Sequence, residues 1–133
     1  MRVSALVCAA AVLTAAAAQQ GEALEERFVL PSGLEAGLQE VLRQEGGTGP
    51  VLRFRFVAPG LDKGADFDAV SADLEYLCTS VALQAVPEAG DDGATIIISV
   101  GNKPSEFGVP DPDVVQVFEA YRVENGTCIW EVF

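Results

Sequence analysis

Histidine is absent from this sequence. With it go the usual general base near neutral pH, the Ser–His and Cys–His nucleophile pairs and the commonest transition-metal ligand. Lysine occurs only as Lys63 and Lys103, each beside a glycine or proline in an apparent loop. Basic residues are few altogether: 8 Lys and Arg stand against 20 Asp and Glu, a net charge of −12. So acidic a chain repels polyanions, which argues against nucleic acid and anionic lipid as partners. No Walker loop, Rossmann fingerprint, G-x-S-x-G elbow or EF-hand pattern occurs, so no cofactor or metal is expected and no catalytic set is named.

Long apolar runs are also missing, except at the start, MRVSALVCAAAVLTAAAAQQ. Arg2 precedes an uncharged segment from Val3 to Ala18 that closes on small residues at Ala16 and Ala18. A charged start, a short apolar core and an A-x-A ending describe a secretory signal peptide over residues 1–18, cut between Ala18 and Gln19. The run is shorter and less hydrophobic than a spanning helix requires, so no membrane span is expected to survive cleavage. Lipidation at Cys8 is the rival, but most of the apolar run lies after Cys8, which leaves too little leader before such a cut. Residues 19–26, QQGEALEE, read as a flexible tail, and 27–133 as one α+β domain.

Cysteine is scarce, and cleavage removes one of the three. Cys78 and Cys128 then remain in a chain bound for an oxidising compartment, where an even count signals a disulfide. Around Cys78, the apolar residues Phe67, Val70, Leu74, Leu77, Cys78, Val81 and Ala85 recur at helical spacing, which predicts a helix over Phe67–Val86. Asp66 or Asp68 caps its start, and Pro87 and Gly90 stop it. Around Cys128, Asn125-Gly126 between β-rich runs signals a two-residue hairpin that pairs Val123 with Cys128 and Tyr121 with Trp130. One face collects Val117, Tyr121, Val123, Cys128 and Trp130; the other carries Gln116, Arg122 and Glu131 with Phe118, Ile129 and Phe133. Both cysteines thus face one helix–sheet interface, and a Cys78–Cys128 bond follows. A redox-active pair would want C-x-x-C spacing or a neighbouring histidine, and has neither.

Elsewhere, Ser32-Gly33-Leu34-Glu35 fits a capping box ahead of Leu34, Leu38, Val41 and Leu42, which predicts a short N-terminal helix. VLRFRFVAP alternates as a half-buried strand, and Thr95–Val100 is a β-branched run suited to a central strand. The expected architecture is a two-layer α+β sandwich. A mixed sheet of about four strands, β-α-β plus the C-terminal hairpin, carries the long helix on one face.

The remaining chemistry is thin. Asp66, Asp68 and Asp73 crowd a helix start. The loop NKPSEFGVPDPD holds Lys103, Glu106, Asp111 and Asp113, a candidate ligand loop. Glu106, Asp111 and Asp113 offer oxygens to a cation but lack the ordered spacing of a calcium motif. Arg53 and Arg55 project from one strand face, suited either to ion pairs with Glu119 or Glu131 or to gripping an anion. The strings LRFRFVAP, ADLEYLC, IIISVGNKPSEFG and FEAYRVENGTCIWEVF together resemble a family of small exported bacterial proteins classed as a domain of unknown function. The likeness covers about residues 28–133 and implies no catalytic role.

Two readings follow. One is an exported, periplasmic or secreted, non-enzymatic binding or envelope-accessory protein, with a protein partner in the cell envelope met by Phe118, Ile129 and Phe133, unless the segment around Phe28 and Leu38 covers that face. The alternative is a carboxylate-dependent hydrolase or carbohydrate-active enzyme working from the 103–113 loop through Glu106.

Overall fold

In a computed structural model, residues 26–47 and 49–131 are described. The expected signal peptide, Cys8, nearly all of the tail and Phe133 lie outside them. Six strands form one mixed sheet in sequential order: β1 Arg27–Val29, β2 Glu35–Glu45, β3 Pro50–Val57, β4 Thr95–Gly101, β5 Gln116–Glu124 and β6 Thr127–Glu131. β3 and β4 run parallel across the helical crossover; every other neighbour is antiparallel. The sheet curls into a half-barrel, not the four-stranded layer expected from the sequence.

The main correction concerns residues 34–45, expected as a short helix. They form β2, paired with β1 and β3. Leu38 lies opposite Phe56 and Val41 opposite Phe54, both on the core side, although they are three residues apart. A strand repeats every two residues, and a bulge between Leu38 and Glu40 supplies the extra one. The step of three that mimics a helix is thus a bulged strand. The capping box also dissolves. Ser32 sits in the β1–β2 turn, where its N–H and hydroxyl donate to the Asp73 carboxylate at 2.9 and 2.6 Å. Asp73, grouped by sequence with the capping acids, is buried and docks this turn onto the helix.

The long helix, α1, runs Phe67–Leu77, widens to a π-turn over Cys78–Ala82, and resumes as Leu83–Ala85. Asp66 caps its start by accepting from the Ala69 N–H. Leu74, Leu77, Cys78 and Ala82 bury against Leu52, Phe54, Phe56, Ile96, Ile98, Tyr121 and Val123. The hairpin forms at Asn125-Gly126, both with positive φ (52° and 70°), which a two-residue I′ turn requires. Its register pairs Val123 with Cys128 and Tyr121 with Trp130. Cys128 therefore faces α1, and the Cys78 and Cys128 sulfurs stand 2.09 Å apart, at disulfide distance. Among the described residues no helix is long and apolar enough to cross a membrane.

Candidate functional site

The sheet face turned away from α1 carries the site. Alternation along the strands sends Arg53 and Arg55 of β3, Ile97 and Ser99 of β4, Gln116 and Phe118 of β5, and Ile129 of β6 to this outer face. The long β4–β5 connection folds back over part of it. Its base is closed where the Asn102 N–H donates to the Val115 carbonyl at 2.9 Å and the Val115 N–H to Asn102 Oδ1 at 3.0 Å.

The β2 bulge fixes the far side of this loop. It turns Gln39 and Glu40 toward the same place. Gln39 Nε2 donates to the Ser105 carbonyl at 2.9 Å, and Glu40 forms an ion pair with Arg55. Arg55 also donates to the Ser105 carbonyl and to its hydroxyl, each at 3.0 Å. Arg55 is buried, and its bonds to Glu40 and Ser105 tie the loop to β2 and β3. Phe107 follows two residues later, with the Arg53 and Arg55 guanidinium carbons 4.8 and 5.6 Å from its ring centre. Both lie within cation–π reach.

Between loop and sheet lies an open cleft of about 290 Å³, with Arg53, Arg55, Ser99, Gln116, Phe107 and Phe118 among its walls. Arg53 differs from its neighbour. Among the described residues no carboxylate pairs with it, and its Nε is the one buried side-chain nitrogen or oxygen without a hydrogen-bond partner. Burial, then the nearby charge of Arg55, holds its guanidinium below the ordinary value. Gln116 Nε2 donates to Ser99 Oγ at 3.3 Å, so two neutral polar groups share the wall. Phe107, Val109 and Phe118 are 46, 51 and 63% exposed, which makes the rim apolar.

The expected partners of the arginines do not pair with them. Glu119 lies opposite Ile98, on the α1 side, and accepts from Ser71 and Tyr121. Glu131 accepts from Arg122 at 2.7 Å. Glu40, inside the mistaken helix, is the actual partner of Arg55. Of the loop residues, Glu106 and Asp111 line the cleft and are exposed, while Lys103 and Asp113 are exposed outside its lining. Asp111 Oδ1 accepts from the Asp113 N–H at 3.0 Å, a local turn. The oxygens considered for a cation are not gathered: among the described residues no three acidic, histidine or cysteine side chains cluster in metal-binding proximity. Phe118 borders the cleft and Ile129 shares its face, partly buried opposite Arg122. Phe28 does not cover this face; its ring meets Phe56 edge-on at 6.2 Å in the core.

A second groove, about 410 Å³, lies between α1 and the hairpin, with Phe67, Glu75, Tyr121 and Trp130 in its walls. It is larger, but its buried hydroxyl is satisfied by Glu119, and among the described residues no buried polar side-chain atom there lacks a partner.

A family model described as a family of unknown function (DUF6497) matches residues 7–133, and the chain belongs to that family. No curated protein and no solved structure matches it.

Proposed function

We propose that this member of a family of unknown function is an exported, non-catalytic binding module that works through its outer sheet face, with a component of the cell envelope as its partner. One observation carries the reading. In a chain whose acids far outnumber its bases, one arginine lies in a cleft with its Nε buried and unmatched, inside a ring of exposed apolar side chains. A buried donor without an acceptor costs about 1–3 kcal/mol. A partner that supplies an oxygen to the terminal N–H groups of this guanidinium, which lines the cleft, meets its unpaired charge while it covers the rim. The leader-like start and the cysteine pair at disulfide distance support export.

The hydrolase alternative has less support. Glu106 and Asp111 reach the cleft, yet both are exposed, and the Glu106 carboxylate accepts no hydrogen bond among the described residues. General acid–base work needs such a group oriented and its environment altered. The test is two-dimensional NMR of the ¹⁵N-labelled protein in unlabelled envelope extract. Broadening confined to Phe107, Phe118, Ile129 and their strand neighbours is expected. An unchanged spectrum, or broadening confined to α1, would overturn the reading.

A further inference from the structure

We propose that the cleft receives a single carboxylate carried on an apolar body, with Arg53 as the receiving group; this rests on the outer face being the binding surface. The charge arrangement selects the ligand. Arg55 is neutralised by Glu40, and its remaining contacts go to Ser105. Arg53 therefore supplies one uncompensated positive charge. Its two terminal Nη groups, on the part of the side chain that lines the cleft, offer parallel N–H donors to the two oxygens of a carboxylate. The Gln116 amide and Ser99 hydroxyl add neutral polar contacts on the same wall.

A doubly charged phosphate is a poorer match. Glu106 and Asp111 stand on the same cleft, and the whole chain carries −12, so a second negative charge meets repulsion with no second free cation in the lining. The rim formed by Phe107, Val109 and Phe118 favours an apolar body behind the carboxylate, because covering that rim removes apolar surface from water. At about 290 Å³ the cleft sits at the small end of ligand pockets, which begin near 300 Å³. One aromatic or branched aliphatic group suits it. Two sources present this chemistry: a free organic acid, and a polypeptide chain ending in an apolar residue.

The purified protein, with its cysteine pair oxidised, is titrated by calorimetry and ¹⁵N NMR with 3-phenylpropionate, with a tripeptide acid ending in phenylalanine, with the same peptide amidated, and with inorganic phosphate. Saturable binding of a carboxylate is expected, with shifts along β3 and residues 104–110, and at least tenfold weaker binding of phosphate. Arg53→Met should abolish binding, and Arg53→Lys should weaken it about tenfold, because lysine keeps the charge without the fork. Phe118→Ala, at an exposed position, should weaken it about threefold and keeps the test open if Arg53→Met misfolds. Binding of the peptide acid but not its amide identifies a chain terminus; binding of phenylpropionate alone identifies a free acid. Phosphate binding as tightly as the carboxylates, or carboxylate binding that survives Arg53→Met, overturns the inference. If no carboxylate binds while envelope extract still broadens the outer face, this inference falls and the binding reading stands. If neither occurs, both fall.

Discussion

Arg55→Met tests whether the cleft is built as described. Arg55 is 3% exposed, and its guanidinium joins three elements, holding Glu40 of β2 and Ser105 of the β4–β5 loop from its own place on β3. Removing one partner of a fully buried ion pair costs about 3–5 kcal/mol, because the other charge is stranded. Glu40 is not stranded here. Its side chain is 36% exposed and regains water once Arg55 is gone. What remains is the loss of two bonds from a charged donor to Ser105, about 1.5–3 kcal/mol each, offset in large part by water that reaches the half-buried Ser105 and by the apolar methionine in the same space. The expected net loss is about 2 kcal/mol, a fall in the urea midpoint of roughly 1 M. Hydrogen exchange should speed up over residues 103–111, while α1 keeps its protection. Combination with Ser105→Ala should show coupling, since the two side chains share a bond. An unchanged midpoint with unchanged loop protection would refute the claim that Arg55 holds the loop.

Three further outcomes follow from the packing. Replacing Cys78 and Cys128 together by alanine should lower stability by up to about 4 kcal/mol for their separation of 50 residues, read from urea midpoints; an unaltered midpoint would contradict the staple. Asp73→Ala leaves the Ser32 N–H and hydroxyl without their acceptor and should cost about 2–3 kcal/mol, with earlier exchange in β1; a loss under about 0.5 kcal/mol would remove Asp73 as the dock for that turn. Burial, then the adjacent Glu119 carboxylate, pushes the Tyr121 hydroxyl above its ordinary value. The folded phenol keeps its proton where the unfolded one loses it, so this contribution is complete below about pH 10. It declines above that at up to about 1.4 kcal/mol per pH unit. Tyr121→Phe should flatten this alkaline limb in thermal melts, and equal slopes in the two proteins would refute the assignment.

Where a local rule governs the outcome, the sequence was legible. Asn125-Gly126 has one good solution, a turn with both φ positive, and the register that follows aims Cys128 at α1. The apolar spacing from Phe67 onward marks the helix and the face bearing Cys78, and it leaves the cap between Asp66 and Asp68, of which the structure uses Asp66. The failure at residues 34–45 has an equally definite cause. A bulge inserts one residue into a period of two, and Leu38 and Val41 then imitate a helical step. Long-range pairing with β3 outweighed that local signal, and helical preferences in so short a segment are weak. A helix over these residues puts Gln39 and Glu40 on the wrong element and hides the partner of Arg55. The arginine pair and the acidic loop were each legible alone; their meeting over Ser105 depends on strand register across three elements. No rule of spacing carries that information. The alternation of Leu52, Phe54 and Phe56 with Arg53 and Arg55 did place both arginines on one face, and this was the one usable signal for the site.

The most direct measurement is the Arg53 Nε–H resonance of the ¹⁵N-labelled protein, assigned by its disappearance in Arg53→Lys. In the free protein it should exchange slowly with solvent, as a buried donor without an acceptor. With saturating 3-phenylpropionate it should shift as the carboxylate pairs with the Nη groups of the same guanidinium, while the Arg122 signal, already bonded to Glu124 and Glu131, stays in place. An Arg53 signal that exchanges rapidly, or that stays put while ligand saturates the protein, would contradict the account.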